Sequence, residues 1–191
     1  MRIIAGLAKG RVLSTVAGAT RPTSDRAREG LFSSLLSEFG DFTGLHVLDL
    51  FAGSGAIGLE ALSRGASFVQ AVEKDERACR TITTNADLVS KSNITGRFHL
   101  HSMSVQKFLE ITPPVTFDVV YIDPPYDFPD VELYKDLVQL RAAGFLKADG
   151  VIAVERAGKS STLKWPMGYE PLRERKYGQA VIYYSKVAQN G

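Results

Sequence analysis

Apolar residues in this chain gather into short runs of five or six, separated by stretches in which they recur every three or four positions. That alternation of buried strand and one-sided helix builds parallel sheets. Strands are expected at 46–51, 68–72, 97–101, 117–122 and 150–155, and helices at 59–64, 76–88, 105–109 and 133–142. An earlier helix opens after Arg21-Pro22, with Thr23, Ser24 or Asp25 as its N-cap and Ala27, Leu31 and Leu35 on one face. Phe32, Leu36 and Phe39 broaden that face, and the helix should pack on the sheet with its polar start near the mouth of a cofactor site. Near the other end, 169–176 and 180–184 pair around Tyr177-Gly178-Gln179 as an antiparallel hairpin. Residues 2–13 read as two short strands around a glycine-containing turn, a small β-hairpin outside the main sheet. The expected fold is α/β, with a central, mostly parallel seven-stranded sheet closed by one antiparallel strand. Residues 1–20 form the hairpin extension and 21–191 the main domain.

Candidate chemistry begins after the first strand, where Ala52-Gly53-Ser54-Gly55-Ala56-Ile57-Gly58 turns it into a helix. Glycines at 53, 55 and 58 spell G-x-G-x-x-G, which permits a tight turn, close backbone approach to a nucleotide and close helix–strand packing. The second strand ends at Glu73, 20 positions after Gly53, where an acid would hold ribose hydroxyls. Asp49 adds a carboxylate that either faces the cationic amino end of a methionine moiety or serves the glycine loop's own backbone. Ser102-Met103, after the third strand, either flanks an adenine or forms an ordinary loop.

The fourth strand runs into Asp123-Pro124-Pro125-Tyr126. Proline fixes φ, carries no N–H and restrains the residue before it, so this tetrapeptide is a rigid shelf of acceptors beside an aromatic ring. The Asp123 carboxylate and Pro124 carbonyl can take both hydrogens of an exocyclic amine and aim its lone pair, while Tyr126 stacks the ring, worth roughly 1–3 kcal/mol. The glycine loop alone would suit a nicotinamide dinucleotide or S-adenosylmethionine. Acceptors after the fourth strand, in place of a group that polarises a carbonyl, favour methyl transfer.

Composition narrows the classes. One cysteine excludes an intrachain disulfide and disfavours a zinc cluster; Cys79 is expected as a small packing residue, and His46, His99 and His101 lack metal-ligand spacing. No apolar run reaches membrane length and no signal-peptide segment stands at the start, so a cytoplasmic protein is expected. Net charge is only +2, but residues 1–30 hold Arg2, Lys9, Arg11, Arg21, Arg26 and Arg28 against Asp25 and Glu29, a local +4. A basic hairpin can grip phosphates while the main domain holds a base. The competing reading is an edge hairpin whose charges discourage aggregation, with Arg26 and Arg28 paired to Asp25 or Glu29.

Four segments, in order, resemble the RsmD family of bacterial ribosomal RNA methyltransferases: Arg2-Ile3-Ile4-Ala5-Gly6, Arg21-Pro22-Thr23-Ser24-Asp25-Arg26-Ala27-Arg28-Glu29, Leu48-Asp49-Leu50-Phe51-Ala52-Gly53-Ser54-Gly55 with Gly58-Leu59-Glu60-Ala61-Leu62-Ser63-Arg64-Gly65-Ala66, and Asp123-Pro124-Pro125-Tyr126. The resemblance spans essentially the whole chain. It implies a Rossmann-like class I methyltransferase that moves a methyl group from S-adenosylmethionine, leaving S-adenosylhomocysteine, to the exocyclic N2 of one guanine in small-subunit (16S) ribosomal RNA. The substrate would be an assembled or partly assembled small subunit, and the enzyme a metal-free monomer. Asp123, Pro124, Pro125 and Tyr126 are expected at the amino group. Thr23, Asp49, Phe51, Gly53, Ser54, Gly55, Glu73, Lys74, Ser102, Met103 and Asp123 are expected at the cofactor, and the six basic residues above at RNA. Two departures stand out: Ala5 where the family has Gly, and Gly30 inside the first helix, at a cost of ~1 kcal/mol relative to Ala. An adenine-N6 DNA methyltransferase would share the shelf, but this chain lacks a separate target-recognition domain. A dehydrogenase would share the glycine loop, and a non-catalytic assembly factor would need the basic arm without the shelf.

Overall fold

The computed structural model describes residues 1–16, 24–113, 115–159 and 162–188. Strands β1 (His46–Leu50), β2 (Phe68–Glu73), β3 (Arg97–Ser102), β4 (Phe117–Ile122), β5 (Leu146–Ala157), β6 (Tyr169–Tyr177) and β7 (Ala180–Val187) form one sheet. Helices α1 (Asp25–Phe39), α2 (Ala56–Ser63), α3 (Glu76–Ser90), α4 (Val105–Leu109) and α5 (Asp130–Ala142) cover its faces. The strand order is β3-β2-β1-β4-β5-β7-β6, with β7 antiparallel to both neighbours and the other pairs parallel. This is the expected seven-stranded Rossmann-like sheet. After β1 the chain winds outward through β2 and β3, then returns to the opposite side of β1 as β4. The crevice of such a sheet lies at the carboxyl ends of β1 and β4.

Alternation along the central strands explains the layers. Val47, Val119, Tyr121, Val151 and Ala153 face α1 and α2, while Leu48, Leu50, Val120, Ile122, Ile152 and Val154 face α4 and α5. Both faces are covered, so these strands read as nearly continuous apolar runs.

Three starting boundaries moved from their expected places. Helix α2 starts at Ala56, inside the glycine loop, because Gly55 takes a left-handed φ of 76° and serves as its N-cap. Helix α5 starts at Asp130, ahead of the apolar period, with Pro129 at the N-cap. Strand β5 begins at Leu146, since a register shift opposite Phe117 and Val119 lets it run through Lys147 and Asp149. Ser24 is the N-cap of α1, accepting the Ala27 N–H. Gly30 is explained by packing: a Cβ there would lie 2.1 Å from the Tyr177 ring.

The N-terminal arm is part of the main core. Its two expected edges reduce to one antiparallel bridge, Arg2 with Val12, and the boundary drawn at residue 20 lies outside the described residues. Ile3, Ala8 and Leu13 are buried in the same cluster as Leu31, Leu59 and Leu62. The buried Glu60 carboxylate accepts the N–H groups of Ile4 (2.7 Å) and Ala5 (2.9 Å) and the Arg64 Nε (2.8 Å). The Ser63 carbonyl at the end of α2 accepts the Leu7 N–H at 2.8 Å. Gly6 makes that approach possible: it has φ of 81°, and a Cβ would fall 1.8 Å from the Ser63 carbonyl oxygen.

Glu60→Ala would leave two amides and a largely buried guanidinium without their acceptor, and should cost about 3 kcal/mol. Urea unfolding measures that loss, and hydrogen exchange should accelerate first at the Ile4 and Ala5 amides. Protection retained at those two amides would show that the carboxylate does not hold the arm.

Candidate active site

Parallel pairing sets Leu50 beside Val72 on one side and Ile122 on the other, so the loops after β1, β2 and β4 leave the sheet at one level. Phe51 follows at φ 60°, an uncommon conformation for an aromatic residue, and its ring packs edge-on against Phe128 with centroids 5.1 Å apart. The loop then closes on itself and on β2. The Ala52 N–H donates to the Val72 carbonyl (3.0 Å), the Gly53 N–H to the Glu73 carboxylate (2.9 Å), and the Gly55 N–H to the Ala52 carbonyl (2.7 Å). Gly58 lets α2 settle on the sheet, since a Cβ there would sit 2.9 Å from Val69.

Across the crevice the Asp123 N–H reaches the Leu50 carbonyl at 3.4 Å, tying the shelf directly to β1. Pro124 is buried, Pro125 is exposed with its carbonyl accepting the Phe128 N–H, and Tyr126 is 51% exposed at the rim. One cavity of about 270 Å³ joins the two sides. Among the residues expected at the site, Phe51, Gly53, Glu73, Lys74, Met103, Asp123, Pro124, Pro125 and Tyr126 all line it.

The remaining expected residues lie elsewhere. Ser54, Gly55 and Ser102 are absent from the lining: Gly55 caps α2, the Ser54 carbonyl accepts from Asn85, and Ser102 ends β3 beside Glu73. Thr23 and Arg21 lie outside the described residues. Asp49 is buried behind the loop with its Oδ2 accepting the Gly58 N–H at 3.0 Å, the second of the two roles considered for it. Arg2, Lys9, Arg11 and Arg26 are exposed, as an RNA contact requires. Arg28 is a correction. Its side chain is fully buried and its Nη2 donates to the Arg2 carbonyl (2.6 Å) and Asp25 (2.8 Å), so it holds the arm from beneath and cannot meet a phosphate. Burial lowers its pKa, with Glu60 and Asp25 opposing.

Several residues at the site escaped the motifs. Gln106 lines the cavity and donates at 2.8 Å to Asp136, whose carboxyl is raised by burial to about 6. Glu155 lines it and accepts the Tyr121 hydroxyl at 2.6 Å. Asn85 bridges Ser54 to Ser14, joining glycine loop and arm through one buried amide. Ser24, Val72, Val105, Phe128 and Ala180 complete the wall; of these, Ser24 had a signal as one of three candidate caps. Glu73, Asp123 and Glu155 outnumber Lys74 and leave the lining acidic on balance, which suits a cationic ligand. Glu73 also anchors the loop: Oε2 takes the Gly53 N–H, while Oε1 takes those of Lys74 and Asp75.

Comparison with known proteins places this geometry among relatives. The family model described as Conserved hypothetical protein 95 matches residues 1–186. Ribosomal RNA small subunit methyltransferase D of Haemophilus influenzae is 34% identical over 180 residues, covering 93% of this chain and 89% of its own. The protein of the same name from Escherichia coli K12 is 33% identical, covering 99% and 91%. A solved Escherichia coli structure, described as a candidate methyltransferase, superposes with a TM-score of 0.84 at 28% identity, covering 98% of each chain.

The Asp49 carboxyl gives a test by pH. Burial raises it to about 8, reinforced by Glu73 and opposed by the Gly58 N–H. The folded state therefore keeps a proton that the unfolded chain releases at its ordinary value of 3.8. That contribution is complete below 3.8 and is lost as pH rises toward about 8, at up to about 1.4 kcal/mol per pH unit. Asp49→Asn keeps an acceptor for Gly58 and does not titrate, so its stability should fall less between pH 5 and 8 and its Tm at pH 8 should be the higher. Parallel slopes for the two proteins in thermal melts would remove Asp49 from the titration.

Proposed function

Since this chain belongs to the RsmD family of ribosomal RNA methyltransferases, we propose that it methylates the exocyclic N2 of a guanine in small-subunit ribosomal RNA, with S-adenosylmethionine as donor. The observation that carries this reading is the single cavity shared by the Gly53 loop, Glu73 and the Asp123-Pro124-Pro125-Tyr126 shelf. A nucleoside ribose fits against Glu73, with Met103 and Gln106 at the adenine and Phe51 and Gly53 beneath the chain that leads to sulfur. The acidic lining complements the donor's positive charge. When bound, S-adenosylmethionine supplies a methyl carbon activated by a sulfonium.

Guanine N2 is a poor nucleophile because its lone pair is delocalised into the ring. Hydrogen bonds from its two N–H groups to the Asp123 carboxylate and Pro124 carbonyl favour the pyramidal form and direct the pair along the line of displacement. With the donor bound, the N2–C bond would form as the S–C bond gave up its pair to sulfur, and Asp123 or water would take the proton that N2 releases. Alignment provides the remainder, since well-oriented partners gain effective molarities of roughly 10⁵–10⁸ M. Tyr126, at the rim, covers the base that has entered. Transfer of this kind requires no metal. The site of action is the cytoplasm, on an assembled or partly assembled small subunit, by a monomer.

Exposed Arg2, Lys9, Arg11 and Arg26 serve the RNA on the arm side. Because Ile3, Ala8 and Leu13 belong to the core, deleting the arm would damage the fold, and charge substitution is the cleaner probe.

Labelled S-adenosylmethionine and unmodified small subunits, followed by mapping of the modified base, test the reaction. Label on guanine N2 is expected, and label on adenine would overturn the assignment. Asp123→Ala should abolish transfer while calorimetry finds donor affinity within a few-fold; near-normal turnover would refute its role. In a salt titration of subunit binding, Lys9→Gln with Arg11→Gln should flatten the dependence by one to two phosphate contacts' worth, a change in slope of about 1–2. An unchanged slope would return these residues to a structural role.

A further inference from the structure

A second groove opens beside the reaction cavity. It measures about 530 Å³ and is lined by Ala157 at the end of β5, by Gly158 and Lys159 just after it, by Lys176 in β6 and by Gly178 and Gln179 in the β6–β7 turn, with Tyr126 as the wall that both spaces share. Strand polarity explains its position. β6 runs parallel to β4 and β5, and β7 starts where β6 ends, so the turn between them stands on the same rim as Asp123 and Glu73.

The groove is cationic, and a hydrogen bond ties its two sides together. The Gly158 N–H donates to the Gln179 carbonyl at 2.6 Å, locking the two loops that form its sides. Lys159 and Lys176 are exposed, and among the described residues neither makes a salt bridge. Lys9, Lys74, Lys91, Lys107 and Lys164 also make none among the described residues, so what distinguishes Lys159 and Lys176 is their place together at this groove. Two ammonium groups without a carboxylate, at the edge of a space that adjoins an acidic pocket through one aromatic ring, match an anionic backbone whose base has turned inward.

We infer that this groove holds the sugar–phosphate backbone of the single-stranded RNA next to the target base, with phosphates on Lys159 and Lys176. The inference rests on the proposed function and adds a path for the strand: the base enters past Tyr126, and the adjoining nucleotide continues over the β6–β7 turn, on the side of the cavity away from the β3 edge. Two phosphate contacts to a single strand correspond to a salt slope of about 1.4.

The test is binding of a labelled single-stranded oligoribonucleotide, containing guanine, to wild-type protein and to Lys159→Ala with Lys176→Ala, across a salt titration. Weaker binding, by ten-fold or more at low salt, and a slope shallower by about 1.4 are expected, with unchanged Tm and unchanged affinity for S-adenosylmethionine. Equal affinity and slope for the two proteins would overturn the inference, as would failure of the wild type to bind. Lys159→Arg with Lys176→Arg should restore the slope, and failure of that rescue would also count against it. Methylation of small subunits is read separately: a wild type that binds the oligonucleotide through these lysines but modifies no guanine would refute the proposed reaction and leave the groove assigned.

Discussion

The parallel ladder between β1 and β4 is the constraint on which the site depends. With Leu50 beside Ile122, the next residues on the two strands, Phe51 and Asp123, leave the sheet together, and the Asp123 N–H returns to the Leu50 carbonyl. Parallel neighbours cannot be joined by a tight turn, so 66 residues and two further strands separate Phe117 from Leu50 in sequence. The crevice exists because the chain leaves β1 in one direction and comes back on its other side. A shift of one residue between these strands would turn Asp123 toward the opposite face, away from the glycine loop.

Around that ladder, buried polar side chains do for the loops what sheet hydrogen bonds do for strands. Glu60 gathers the arm onto α2, Glu73 fastens the glycine loop to β2, and Asn85 joins arm and loop through α3. Each accepts or donates to backbone that would otherwise be orphaned away from water. The arm that carries Lys9 and Arg11 is tied to the glycine loop by hydrogen bonds that run from Ser14 through Asn85 to Ser54.

What could be read from the sequence follows from the range of the forces involved. Strands β1, β2 and β4 were legible as apolar runs because both faces of the sheet are covered, and the cavity's lining was legible where it lies in consecutive residues, as around Gly53 and Asp123. Gln106 and Asp136, or Glu60 and the amides of Ile4 and Ala5, gave no signal because their partners lie 30 to 56 positions away. Arg28 misled for the same reason. A charged residue near the start of a helix looks solvated until the arm is laid over it, and then its guanidinium becomes a buried donor to Arg2. Asp49 carried two readings because its place at a strand end suits either, and its hydrogen bond to the Gly58 N–H, nine positions away, accords with the second.

The net charge of +2 hides a division that the fold makes spatial. Three acids, Glu73, Asp123 and Glu155, outnumber the one base, Lys74, in the cavity lining, while the exposed bases Lys9, Arg11, Arg26, Lys159 and Lys176 stand outside it. On the proposed reading the two signs act on different parts of one nucleotide. Phosphates are drawn to the rim and repelled from the pocket, so an RNA strand lowers its energy by resting outside while only an uncharged base passes Tyr126. On the same reading these acids attract a cationic donor, whose positive charge is lost on transfer, so their attraction for the donor is greater than for its product.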